Sequence, residues 1–274
     1  MIISASRRTD IAAFHSEWFM EKVREGFVDV RNPFNARQIA RVELAPESVD
    51  VFVFWTRNPG PLLPHMDELE DRGFRSVFLV TVMDYPKCLE PATPAVQDAV
   101  ETLSKLSERI GKNRIAWRYD PILLSSLTPG PFHAEAFSRL AERISPLVSR
   151  CIVSVFDPYP GPLKRLRQLE KTGFRLLAPA EEKAVLAELL PEMAAKANSL
   201  GLEIQSCCEG DLLAPWIKPG ACIDPLFLQR AFGRTFPSAK DKNQRRGCLC
   251  AGSKDIGTYG TCHHGCLYCY AGRL

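Results

Sequence analysis

At 274 residues with 46% hydrophobic side chains, the chain can build one large α/β domain or two smaller ones without disulfide staples. A formal net charge of +3 is too near balance for a dedicated nucleic-acid coat. No apolar run reaches membrane-spanning length and MIISASRRTD holds no long apolar segment, so a cytoplasmic protein without a membrane partner is the expectation.

Ile2 to Ser6 predicts a short strand, followed by the polar cluster Arg7, Arg8, Thr9, Asp10. A helix is expected from about Ser16 to Glu25, stopping at Gly26, and Phe27 to Leu44 reads as a β-hairpin excursion around Asn32-Pro33. From Val49 the rhythm is strand, helix, strand. VDVFVFW ends at Thr56, Arg57, Asn58, and a helix near Leu62 to Arg72 ends at Gly73. SVFLVTVM ends at Asp84, and after a Pro-rich loop Ala95 to Ile110 is amphipathic. RIAWRY runs into Asp120-Pro121; a helix from His133 to Ile144 then precedes CIVSVF, which runs into Asp157-Pro158. Leu163 to Lys171 predicts a helix, FRLLA a further short strand, and Glu181 to Ser199 a helix that Pro191 should break or kink. LEIQS then leads to Cys207, Cys208 and Glu209. Asp211 to Gly233 reads as a partly helical connector carrying Cys222, and Arg234 to Gly247 as a solvated basic loop.

Buried strands alternating with helices through short loops imply parallel pairing by right-handed crossovers. No Gly-rich phosphate loop follows the first strand, which disfavours an open doubly wound sheet. The expectation is an α/β fold, a complete or partial (β/α) TIM-like barrel over residues 1–233, with a cysteine-rich tail over 234–274 packed on it. Each strand ends in polar groups: Arg7 to Asp10, Thr56 to Asn58, Asp84, Arg118 with Asp120, Asp157, Glu209. In a barrel these ends meet at one mouth, where active sites are built.

Ten cysteines in a reducing compartment need a reason other than disulfides, and all but Cys88 and Cys151 lie between residues 207 and 269. Cys151 opens an apolar run and reads as a buried thiol. Cys262, Cys266 and Cys269 form C-x3-C-x2-C, a spacing that suits a cubane [4Fe–4S] cluster with one iron left open. Gly265 lets that loop turn tightly, and Tyr268 can shield the centre from water. Cys248 and Cys250 form a chelating C-x-C pair; with Cys222 and one of Cys207 and Cys208 they supply four ligands for a second cluster. The competing account is structural zinc on Cys248, Cys250, Cys266 and Cys269, with His263 or His264 as a substitute. Spacing favours iron, because zinc ligands come as two separated pairs.

CHHGCLYCYA resembles the cluster loop of radical S-adenosylmethionine (SAM) enzymes of the spore photoproduct lyase type. The chain as a whole resembles a family catalogued as a domain of unknown function, number 1848, through IISASRRTDI, FWTRNP, WRYDPI, SCCE, CID and DKNQRRGCLCAGSKDIGTYGTCHHGCLYCYA. The family pattern S-C-x-E matches Ser206, Cys207 and Glu209, which selects Cys207 as the fourth auxiliary ligand. The radical SAM resemblance implies SAM as cosubstrate of the cluster on Cys262, Cys266 and Cys269. It implies that Arg7, Arg8, Asp10, Arg57, Arg118 and Asp120 hold SAM and substrate, with Trp55, Asn58, Asp157 and Glu209 beside them. It also implies a small-molecule or nucleotide substrate and a flavodoxin- or ferredoxin-like electron donor. Those enzymes carry the cysteine loop after the first strand, whereas here it ends the chain, and FWTRNP stands where their Gly-Gly-Glu motif would be. A circular permutation restores the position if a strand just before Cys262 lies beside Ile2 to Ser6. The alternatives are an iron–sulfur electron-transfer or sensing protein without SAM chemistry, and a zinc-stabilised barrel enzyme.

Overall fold

A computed structural model of the chain describes residues 1–210, 213 and 215–272. The expected start of the connector at Asp211 and the last two residues of the tail, Arg273 and Leu274, lie outside the described residues.

The strands are β1 (Ile2–Ser4), β2 (Phe27–Asn32), β3 (Asn35–Glu43), β4 (Val51–Thr56), β5 (Ser76–Thr81), β6 (Ile115–Ile122), β7 (Arg150–Val155), β8 (Glu203–Cys207), β9 (Lys218–Gly220) and β10 (Lys254–Asp255). The main helices are α1 (Ile11–Phe14), α2 (Ser16–Glu25), α3 (Met66–Asp71), α4 (Val96–Ile110), α5 (Gly130–Ile144), α6 (Pro160–Leu166), α7 (Pro179–Ser199) and α8 (Pro225–Phe232). β2 and β3 form the expected antiparallel hairpin. The other strands form one sheet in the order β10-β1-β4-β5-β6-β7-β8-β9, parallel at every ladder. Strand order does not reverse, so there is no doubly wound switch point. Among the described residues no ladder joins β9 to β10, so a complete barrel is not formed.

Why the sheet is parallel is written in its strands. β4, β5 and β7 are buried at every residue, which only a sheet covered on both faces allows. Alternate residues then supply two separate cores. Phe52, Phe54, Phe78, Trp117 and Val153 face the helices, meeting Phe19 of α2, Leu103 and Leu106 of α4 and Phe137 of α5. Val51, Val53, Val77, Leu79 and Ile152 face the opposite way, against Cys222, Phe227, Cys248, Cys250 and Ala251. The C-terminal segment is therefore the second cover of the sheet.

The strand required before Cys262 is present: β10 lies parallel to β1, with Ile3 opposite Lys254 and Ser4 opposite Asp255. Two local expectations are corrected. FRLLA does not become a strand, since Leu176 makes only an isolated bridge to Ser125. α7 runs through Pro191 unbroken, because buried Leu186, Leu189, Leu190 and Met193 anchor the helix on either side. Among the described residues no helix is long and apolar enough to cross a membrane.

Candidate functional site

Parallel strands all end at one edge, so the polar residues that follow them are neighbours in space. The tail is tied to this edge through Asp255. Its carboxylate accepts from Ser4 Oγ (2.7 Å), Ser6 Oγ (2.6 Å) and the Arg7 amide (2.8 Å), so β10 is locked to β1 by side chain as well as by ladder. The cysteine loop that follows is thereby delivered to the carboxyl ends of β1 and β4.

The loop from 262 to 269 rests in a cradle made by the segment after β5. The Leu267 amide donates to the Leu89 carbonyl (3.0 Å), and the Ala92 amide to the His264 carbonyl (3.2 Å). Gly265 turns the chain at φ +70°, and a Cβ there would lie 3.2 Å from Pro91, so both conformation and space favour glycine. Buried beneath the loop, Arg57 is bidentate to Glu90 (2.6 and 3.1 Å), and the Tyr268 hydroxyl donates to Glu90 and accepts from Arg57. Burial works against the Arg57 charge, but Glu90, Tyr268, Cys266 and Cys269 outweigh it and hold the pKa well above its ordinary value. His264 is buried too, with Nε2 2.9 Å from Asp10 Oδ2. It braces the loop against the start of α1. Arg165 of α6 closes the far side, donating to the carbonyls of Leu267 (3.1 Å) and Cys269. Burial pushes the Cys266 thiol up to about 12 against the pull of Arg57, and raises Cys262 as well. A thiolate ligand set would release these protons on binding a metal.

The second group gathers cysteines from β8, from the loop after β9 and from the tail. The Cys222 thiol lies 3.3 Å from the Cys207 sulfur. Cys250 accepts hydrogen bonds from Cys222 and Cys248, which hold it far below the ordinary thiol range with Arg7 adding to the effect. The Ile223 amide reaches the same sulfur at 3.4 Å. Cys208, next in the chain, turns away at φ +65°. Cys248 and Cys250 thus group with Cys207 and Cys222, not with Cys266 and Cys269, so the four-cysteine zinc knuckle weighed from spacing is not assembled. None of the ten cysteines forms a disulfide, and Cys151 is wholly buried with its thiol pKa pushed up by that burial.

Both groups have the donor chemistry of a soft-metal site, thiols alone with arginines alongside. Zn–S bonds of about 2.3 Å set tetrahedral ligand sulfurs about 3.8 Å apart, and a cubane spreads its ligands further. At the four-cysteine group the Cys207–Cys222 pair is tighter than that. Among the described residues no three His, Cys, Asp or Glu side chains stand in ligating geometry.

Beside the four-cysteine group, and close to Tyr270, lie Arg7 and Arg118. Arg7 stacks 4.8 Å over Trp55 and donates to Ser253 Oγ (3.2 Å), and among the described residues its Nη2 is buried without a hydrogen-bond partner. Burial opposes its charge, while Cys250, Cys222 and Tyr270 outweigh burial and raise its pKa. Arg118 pairs with Asp120, which Ser154 also serves, and among the described residues its Nε is likewise buried without a hydrogen-bond partner. The other anticipated residues have visible structural duties. Asp10 caps α1 through the Ala13 amide (3.0 Å) and accepts the Arg57 amide (2.8 Å); Asn58 turns the chain toward Gly60 (3.0 Å). Arg8 spans Gly257 (3.4 Å) and the Tyr259 ring (5.5 Å), Asp157 pairs with Arg245, and Glu209 accepts the Val155 amide (3.0 Å). Burial, with Asp157 nearby, pushes the Glu209 carboxyl up to about 7. Glu90, Asp255 and Arg165 were missed. Each is a single polar residue in a loop, helix or tail, with no spacing to mark it.

Two surface depressions of about 320 and 330 Å³ lie away from both cysteine groups, one against Leu163, Phe174 and Leu176, the other against Phe74, Arg114 and Phe232. None of the curated proteins compared with the chain matches it. Residues 2–271, nearly the whole chain, match the family described as Domain of unknown function (DUF1848), and the chain belongs to that family.

Proposed function

We propose that this chain is a radical SAM-like iron–sulfur enzyme with a catalytic centre on Cys262, Cys266 and Cys269 and an auxiliary centre on Cys207, Cys222, Cys248 and Cys250. The observation that carries the reading is the sorting of seven cysteines into a three and a four, with two incompletely partnered arginines beside the four and near Tyr270. A three-cysteine [4Fe–4S] cluster with an open iron supplies, when bound, the electron that cleaves the sulfonium of SAM.

The chain's own residues do the rest. Tyr268, in edge contact with Tyr85 at 5.5 Å, screens Cys266 and Cys269 from water, while Glu90 and Arg57 fix the loop. Arg7 Nη2 and Arg118 Nε offer donors for a carboxylate, which is the group SAM presents. In this reading the open parallel sheet is a partial (β/α) barrel whose concave face is filled by the C-terminal segment, and the mouth takes a small-molecule or nucleotide substrate and a flavodoxin- or ferredoxin-like reductant in the cytoplasm.

The test is anaerobic purification with iron, sulfide and zinc counting, followed by incubation with SAM and dithionite. Iron with acid-labile sulfide for two clusters, and 5′-deoxyadenosine that disappears in Cys266→Ala, are expected. Stoichiometric zinc without sulfide overturns the reading. A zinc ion on the four-cysteine group is the second reading, favoured by the 3.3 Å sulfur approach, which is nearer a tetrahedral edge than a cubane spacing.

A further inference from the structure

Beneath the four cysteines lies a wholly buried charge. Arg150 opens β7 and its side chain is shut off from water. A buried ion pair is no better for a core than apolar groups of like volume, so its presence asks for another reason. The contacts supply one. Nη1 donates to Asp224 Oδ2 (2.9 Å) and Gln205 Oε1 (3.1 Å), and Nη2 donates to the Cys222 carbonyl (3.1 Å). The guanidinium also stacks 4.2 Å over Phe227, and among the described residues Nε has no partner.

Two of these ties bear on sulfur. Gln205 stands two residues before Cys207 on β8. The ladder from β8 to β9 ends with Cys207 opposite Gly220, so Cys222 lies beyond its reach. From there the chain is held on one side by the Ile223 backbone, bonded to Cys250 and Ala251, and on the other by Arg150. Asp224 serves twice, since its other oxygen accepts the Leu226 amide (2.9 Å) and starts α8.

We propose that Arg150 is the positioning residue of the four-cysteine group: one guanidinium grips Gln205, the Cys222 carbonyl and Asp224 together, and so sets the approach of the Cys207 and Cys222 sulfurs. A planar fork can hold three acceptors on separate segments in fixed directions, which a lysine ammonium cannot. The inference rests on the grouping of the sulfurs and not on the metal assigned above.

The test uses the full chain, metal-free, with diamide as oxidant. The Cys207 and Cys222 thiols lose two electrons and two protons to the azo bond of diamide, which becomes a hydrazine, and a disulfide forms. Its rate is followed by mass spectrometry, alongside the alkylation rates of Cys262, Cys266 and Cys269. In Arg150→Lys the disulfide is expected to form slower by about tenfold, the effect on a rate of one lost charge-assisted hydrogen bond, while the three-cysteine loop is unchanged. The double variant Arg150→Gln with Asp224→Asn leaves no unpaired buried charge and carries the same expectation should the lysine variant fold poorly. An unchanged disulfide rate, or equal loosening at both cysteine groups, overturns the proposal. Because no metal takes part, this outcome is independent of the iron count.

Discussion

His133 is wholly buried between Tyr119, whose hydroxyl lies 2.8 Å from Nδ1, and the Leu123 carbonyl, 3.2 Å from Nε2. A carbonyl only accepts, so Nε2 carries the proton and Nδ1 accepts from Tyr119. Burial pushes the imidazole from its ordinary 6.5 down to about 4. The unfolded chain therefore takes up a proton that the folded chain refuses, and stability is full above pH 6.5 and falls as pH drops toward 4. The loss from this group is on the order of 3 kcal/mol. His133→Gln should flatten urea midpoints across that window; an unaltered slope contradicts the assignment. At the cysteine loop, Glu90→Ala leaves the buried Arg57 without its carboxylate and should cost about 3–5 kcal/mol. Tyr268→Phe removes one hydroxyl and should cost about 1–3 kcal/mol. Equal losses in urea unfolding would mean that Glu90 does not hold Arg57.

Among the elements, α7 and β10 invite opposite changes. Pro191 lacks an amide for the carbonyl of Ala187, one turn back on an exposed face of α7. Pro191→Ala restores the bond and should raise stability by about 1–3 kcal/mol, read from the urea midpoint. β10 is only two residues long, and its hold on β1 depends on what Asp255 accepts. Asp255→Ala should free the tail, so that limited proteolysis cuts beyond Gly252 while the sheet survives. Wild-type cleavage rates in that variant would show the ladder alone to suffice.

For the whole molecule, the second core is the consequence that matters. Cys222, Cys248 and Cys250 are at once part of the sheet's cover and the proposed ligands, so metal binding and tail docking share free energy. Cys250→Ala, and equally removal of metal by a chelator, should make residues beyond Phe236 protease-sensitive. Unchanged proteolysis alongside full iron content would separate docking from ligation.

Much of this was legible in the chain alone, because local chemistry is carried by local pattern. The apolar runs of VDVFVFW, SVFLVTVM and CIVSVF demand a sheet covered on both faces, and their spacing by amphipathic helices makes it parallel. C-x3-C-x2-C keeps three sulfurs together whatever the fold. What tertiary structure decided is what depends on distance through space. It left the sheet open at β9 and β10, and it grouped Cys248 and Cys250 with Cys207 and Cys222, since the tail crosses the sheet face before reaching the edge. It also gave Glu90, Asp255 and Arg150 their roles. An isolated charge has no period to read, and only the burial created by distant segments makes its partners obligatory.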